Sequence, residues 1–222
     1  MSDFAAIEHR AIERCGGPEA LADRLPTALS ARMLADVTDD RWLSAMTRAV
    51  FRSGFVWRVV DAKWDGFEAA FHEFDTMACA MLGDEDLETL QADTRIIRNG
   101  PKIRTVRENA AFVRRIKGEH GTFAKWVANW PVEDIVGLWQ AMKQGGARLG
   151  GNTGPMMLRS MGKDTFIITR DTGAGLVAAG VVDKLPTGKG ALAKTQAAFN
   201  AWREETGRPL CELSRILALS VN

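Results

Sequence analysis

The chain is poor in cysteine and histidine, and the few it has are scattered. Its 222 residues include only Cys15, Cys79 and Cys211, and only His9, His72 and His120. There is no Cys-x-x-Cys pair, no His/Cys cluster at ligand spacing and no even set of cysteines. These absences argue against a zinc knuckle, an iron–sulfur centre and a disulfide framework. No apolar run reaches membrane-spanning length, so no membrane partner is expected. The start, Met1-Ser2-Asp3-Phe4, lacks a basic segment followed by an apolar core and a cleavage site. No signal peptide is therefore expected, and the expected compartment is the cytoplasm, with reduced thiols. Low-complexity tracts and internal repeats are also missing.

Excess charge of one sign is missing too. Lys and Arg number 29 against 28 Asp and Glu, a net charge of +1. Overall charge does not mark a polyanion binder, but its distribution is uneven. Arg95, Arg98, Lys102, Arg104, Arg107, Arg114, Arg115 and Lys117 run together with Glu108 as the only acid among them. Such a face can meet a few phosphates, and it equally suits a solvated helix.

Strand patterning is almost absent. Only Thr165-Phe166-Ile167-Ile168 briefly suggests extended chain, and the rest reads as helix, so the fold class is all-α. Helices are expected over Phe4–Arg14 and from Pro18 to Ala22. Arg41–Arg52 is expected to be helical from the spacing of Trp42, Ala45, Met46, Ala49 and Val50. Asp65, Thr76 and Asp84 are the expected caps of the next segments. Pro101 suits the first turn of a helix through Lys117, and Pro131 opens one with Ile135, Leu138, Trp139 and Met142 on one face. Asp171 is expected to cap Gly173–Ala179. Ala191–Glu205 and Pro209–Ser220 close the chain. No Pro/Gly linker divides it, so residues 1–222 are read as one domain, with one lobe from about 41–170 and a second from both termini.

Two features carry chemistry. Leu149-Gly150-Gly151-Asn152-Thr153-Gly154 is a glycine-rich hairpin opening into a helix, which offers backbone N–H groups to a phosphate. About twenty positions later comes Thr169-Arg170-Asp171-Thr172. A carboxylate there can face a sugar that develops positive charge, and it can also serve as a helix cap. Trp57 can stack on a flat base or be a core aromatic.

From Trp57 to Ile103 the chain resembles the DNA-3-methyladenine glycosylase I family. The matching residues are Gly54-Phe55-Val56-Trp57, Phe71-His72-Glu73-Phe74-Asp75, Glu85-Asp86-Leu87-Glu88 and Ile96-Ile97-Arg98-Asn99-Gly100-Pro101-Lys102-Ile103. A second block runs from Gly150-Gly151-Asn152-Thr153 through Met161-Gly162 to Ile168-Thr169-Arg170-Asp171. The resemblance implies a two-lobed helix-hairpin-helix fold with a cleft between helical lobes. It also implies a monomeric, cofactor-free enzyme of base excision repair acting on duplex DNA with a damaged base. Asp171 is the implied catalytic residue. Trp57 is implied at the base, and Phe51, Phe55 and Trp42, close by in sequence, are candidates either to complete its pocket or to be core. Gly150, Gly151, Asn152, Thr153, Gly154, Arg98 and Lys102 are implied at the DNA strand.

The chain departs from that family in two ways, and it also lacks the lysine of bifunctional helix-hairpin-helix glycosylases. Thr172 stands where a metal-ligating His is usual, so no zinc is expected, and packing of the first helices on the last pair is expected to hold the termini. Ala49 stands where a pocket glutamate is usual, which leaves the lesion open between 3-methyladenine, another alkylpurine and a deaminated base. No lysine opens the helix after the hairpin, so a Schiff base is not expected and the activity implied is monofunctional. The rival reading is a catalytically inactive DNA-binding or damage-recognition protein.

Overall fold

The computed structural model describes residues 3–221, and among these there are helices and no strands. The helices are α1 (Phe4–Cys15), α2 (Pro18–Ala22), α3 (Ala31–Ala35), α4 (Asp39–Arg52), α5 (Trp57–Ala62), α6 (Trp64–Ala70), α7 (Thr76–Ala80) and α8 (Asp84–Ala92). They continue as α9 (Gly100–His120), α10 (Phe123–Asn129), α11 (Ile135–Gly145), α12 (Thr153–Ser160), α13 (Arg170–Ala178), α14 (Lys189–Thr206) and α15 (Leu210–Leu219). The all-α reading is borne out. The chain forms two compact units, one from Met1–Leu29, Trp130–Leu138 and Gly162–Asn222, the other from Ser30–Asn129 and Trp139–Met161.

The unit built from the chain ends has an aromatic and aliphatic core. Phe4, Ile7 and Ala11 of α1 are fully buried, and Phe4 meets Trp202 of α14 with ring centroids 5.4 Å apart. Phe166 stacks on Phe199 at 4.3 Å. Arg208 bridges Glu8 at 2.6 Å and Glu212 at 2.7 Å, tying α1 to the start of α15. The carboxylate of Asp164 accepts from the N–H groups of Leu210 and Cys211, filling the open N-terminus of α15. The expected extended run Thr165–Ile168 does not join a ladder. Ser214 takes its place as partner, donating to Ile167 O at 3.3 Å and accepting from Ile167 N at 3.1 Å.

The second unit is organised by aromatic rings. Trp64, Phe67, Phe71 and Phe74 stack in succession, and Phe51 of α4 meets Phe67 edge-on at 4.7 Å. Each fully buried aromatic of this kind contributes roughly 1.5–3 kcal/mol by leaving water. The long helix α9 starts where Asn99 accepts from Lys102 N at 3.1 Å, with Pro101 in its first turn. Three expected caps are corrected by neighbouring carboxylates and backbone. Asp75, not Thr76, caps α7 through Ala78 N at 2.7 Å. Gly83 precedes α8, its N–H held by Asp86 at 2.7 Å, and Asp84 is already helical. Asp65 lies inside the first turn of α6, which begins at Trp64.

Between α6 and α7 the backbone does something no pattern announced. His72, Glu73 and Phe74 have φ of 53°, 55° and 61°, a left-handed turn made without glycine. Each such residue costs about 1–2 kcal/mol. Burial of Phe71 before the turn and of Phe74 within it offsets that cost, as does a hydrogen bond from Arg41 Nη2 to Glu73 O at 2.7 Å. Glu73→Gly is expected to leave stability unchanged or raise it by up to about 1 kcal/mol, because glycine adopts this region freely but loosens the unfolded chain. Glu73→Val is expected to lower it by about 1–3 kcal/mol. Urea unfolding of the three proteins is the measurement, and a valine variant as stable as the parent contradicts the account.

Candidate functional site

The second unit contains a cavity of about 790 Å³ between α4 and α12, with Trp57 and Glu68 completing its wall. Helical spacing puts Arg41, Ser44, Ala45, Arg48, Ala49 and Arg52 on one face of α4, and all of them line the cavity. The opposite face, with Trp42, Leu43, Met46 and Val50, is buried in the core. The second wall comes from Asn152 and Thr153 at the hairpin and from Met156, Met157, Ser160 and Met161. Thioether side chains make this wall apolar and adaptable.

Glu68 is the only acid among the lining residues. Its Oε1 accepts from Arg41 Nη1 at 3.0 Å, Ser44 Oγ at 2.9 Å and Trp64 Nε1 at 2.8 Å. Its Oε2 accepts from Arg41 Nη2 at 2.9 Å. Burial pushes the carboxyl's pKa up, but the hydrogen bonds from Arg41, Ser44 and Trp64 outweigh it and hold the group below the ordinary carboxylate range. Glu68 is thus ionised at neutral pH. Arg48 is half-buried, its guanidinium carbon 4.2 Å from the Trp64 ring centroid. Burial lowers its pKa from the ordinary value.

The expected site residues divide. Trp57 does line the cavity and is 50% exposed. One face of it is already covered by Arg52, whose guanidinium carbon stands 5.1 Å from the ring centroid and which pairs with Asp61 at 2.6 Å. Phe51 and Trp42 are corrected: both are fully buried, Phe51 against Phe67 and Trp42 against Phe123, so they support α4 from behind. Phe55 packs on the same core and does not line the cavity. Ala49 contributes only a methyl group to the wall.

The hairpin forms as a tight turn. Gly154 N donates to Leu149 O at 3.1 Å and Thr153 N to Gly150 O at 3.3 Å. Gly151 has φ of 60°, and a Cβ on Gly154 would stand 2.5 Å from Leu149 O, so glycine is required there. Asp171 belongs to the other unit. It is half-buried in the first turn of α13 and is not the cap: Thr169 is, its Oγ1 accepting from Thr172 N at 3.1 Å. Either residue type suits a cap, and the helix starts one residue before the carboxylate. A carboxylate in that first turn sits where the helix dipole favours negative charge.

The basic run is largely consumed by the protein itself. Lys102 is corrected most sharply. It is 7% exposed, and its Nζ donates to the carbonyls of Val50 at 2.8 Å, Phe51 at 3.2 Å and Ser53, closing the C-terminus of α4. Arg95 pairs with Asp93, Arg107 with Asp84, Arg115 with Glu119 and Lys117 with Asp39. Arg98 and Arg104 are exposed, with no ion pair among the described residues.

These placements separate two kinds of cation. Lys102→Ala is expected to cost roughly 1–3 kcal/mol, because buried carbonyls lose their donor, and to leave any salt dependence of DNA binding unchanged. Arg98→Ala is expected to keep stability and to lower the salt dependence by about one counterion. Urea unfolding and salt-titrated DNA binding check both; the reverse assignment refutes the placement of Lys102. A second expectation concerns acid. The Glu68 carboxyl titrates lower folded than unfolded, so its stabilisation is complete above the unfolded carboxyl range and is lost as pH falls through the folded value. The stability gap between the parent and Glu68→Gln is therefore expected to be widest near neutrality and to narrow on acidification. A gap that grows toward low pH would reverse the sign.

Residues 35–163 match the methyladenine glycosylase family. DNA-3-methyladenine glycosylase 1 of Escherichia coli (strain K12) is 37% identical over 59 residues, 27% of this chain and 32% of that protein. The chain thus matches about a third of the length of this curated relative. Among solved structures, 3-methyladenine DNA glycosylase I of Staphylococcus aureus is 18% identical with a TM-score of 0.53, over 68% of this chain and 91% of that one. A variant of 3-methyladenine DNA glycosylase I in complex with 3-methyladenine is 17% identical with a TM-score of 0.51, over 64% and 83%. At these identities the structural likeness speaks for the fold. Every residue lining the cavity, from Val37 to Met161, falls inside the matched segment. That segment makes up more than half of the chain, and the chain belongs to the methyladenine glycosylase family.

Proposed function

We propose that this protein is a monofunctional DNA glycosylase of base excision repair, which hydrolyses the N-glycosidic bond of an alkylated purine such as 3-methyladenine. The observation that carries the reading is the cavity. It is built wholly from the family-matched segment, and its volume of about 790 Å³ lies in the range of roughly 300–1,000 Å³ usual for small-molecule sites. The target is duplex DNA. A base inside a duplex is out of reach, so the nucleotide is flipped into the cavity.

In this reading the hairpin Gly150–Gly154 and Arg98 hold the strand without reading sequence. Trp57, half-exposed on the cavity wall, stacks on the flipped base. Asp171 stabilises positive charge on the sugar as the bond from C1′ to the base nitrogen breaks. The electron pair of that bond leaves with the alkylated base, water adds to C1′, and the water proton passes to the carboxylate. No step calls for a redox cofactor or for a covalent enzyme adduct. The protein works as a monomer in the cytoplasm. Among the described residues no helix is long and apolar enough to cross a membrane.

Single-turnover base release from alkylated, hypoxanthine-containing and uracil-containing duplexes is the test. Release from the alkylated duplex is expected. Asp171→Asn is expected to keep fold and DNA binding and to lose about 3 kcal/mol of transition-state stabilisation, a fall of roughly a hundredfold in rate. An unchanged rate leaves Asp171 with a purely structural part. Binding without release from any duplex favours a damage-recognition protein.

A further inference from the structure

Two cavity side chains are set in place by one indole. Trp64 is 6% exposed, and its Nε1–H donates to Glu68 Oε1 at 2.8 Å. The guanidinium of Arg48 lies over the same indole, 4.2 Å from the centroid. Both Glu68 and Arg48 line the cavity, yet no ion pair joins them. Among the described residues nothing accepts a hydrogen bond from Arg48.

The hydrogen-bond inventory of this pair is unbalanced. Glu68 Oε1 accepts from three donors, and Oε2 accepts only from Arg41 Nη2. An ionised carboxylate offers about two acceptor sites on each oxygen, so the spare capacity lies on Oε2. Arg48 carries N–H donors that no described acceptor fills, its guanidinium carbon lying over the Trp64 ring. A half-buried donor edge and a spare acceptor, neither satisfying the other, are complementary to a ligand edge that carries both functions. The Arg41 fork fixes Glu68 in advance, so little ordering cost remains for the ligand to meet.

Resting on the glycosylase reading of this cavity, we propose that Glu68 and Arg48 are its specificity residues and together read one edge of a purine. Glu68 Oε2 accepts from the exocyclic amino group, and Arg48 donates to the ring nitrogen beside it. An ionised carboxylate cannot donate, so an edge without N–H leaves it desolvated and unpaired and is rejected. The Arg41–Glu68 fork would join α4 to α6 equally well without Arg48.

The test uses free bases and the full chain. Binding of 3-methyladenine, adenine and N6,N6-dimethyladenine is measured by calorimetry and tryptophan fluorescence for the parent, Glu68→Gln and Arg48→Met. The parent is expected to bind the two amino bases at least tenfold more tightly than the dimethylated one. Each variant is expected to lose at least tenfold for 3-methyladenine, and in Glu68→Gln the dimethylation penalty is expected to fall below threefold. Equal binding of amino and dimethylamino bases by the parent overturns the proposal. So does a folded Glu68→Gln with unchanged affinity, or no binding of any base at millimolar concentration. If Glu68→Gln fails to fold, the comparison of bases on the parent still decides. Base release from alkylated DNA is followed in parallel. Release without discrimination among free bases removes this inference and keeps the glycosylase; discrimination without release does the opposite.

Discussion

The Arg41–Glu68 fork is the interaction on which the pocket side of the protein depends. Arg41 makes two parallel hydrogen bonds to the Glu68 carboxylate, one to Asp40 and one to the carbonyl of Glu73. A single planar cation therefore fixes α4 to α6, supports a left-handed turn and keeps a pocket carboxylate charged. Isolated surface pairs contribute little. Here Glu68 is mostly shielded, its side chain 19% exposed, so removing Arg41 would strand a poorly solvated charge rather than expose it to water. Lysine cannot replace it, since an ammonium offers no fork.

Much of the fold is legible in the sequence because it rests on local rules. The spacing of Trp42, Met46 and Val50 gives α4, Pro101 gives the start of α9, and the glycines of the hairpin give a turn before α12. What escapes a sequence reading depends on distant partners. Glu68 occupies the stripe Trp64, Phe67, Glu68, Phe71, where a lone charge among core aromatics is a signal of burial. Its meaning is set by Arg41 and Ser44, 27 and 24 positions earlier. Lys102 sits in a basic run and looks like its neighbours, yet the open carbonyls of α4 claim it. The turn at His72–Phe74 has no glycine to mark it, and packing imposes it. At Asp171, Thr169 and Asp171 are both good caps, and only the backbone decides between them.

The cavity's charge follows from the same economy. Three arginines and one glutamate line it, but Arg41 is committed to Glu68 and Arg52 to Asp61. Arg48 alone of the three has no ion pair among the described residues, and it rests on the Trp64 ring. Seen this way, a wall that looks strongly basic by composition presents one donor edge and one acceptor, the kind of economy that suits recognition of an uncharged rim.

The bridge from Arg208 to Glu8 joins residues 200 positions apart. During synthesis the pocket unit has all of its segments once Met161 has emerged, whereas α1 must wait for Trp202 and α15. At roughly 5–20 residues per second, the interval between α1 and its partners is on the order of 10–40 s. For that time the apolar face of Phe4, Ile7 and Ala11 has no permanent cover. The ribosome-bound chain thus carries a helix whose apolar face stays open until α14 and α15 have been made.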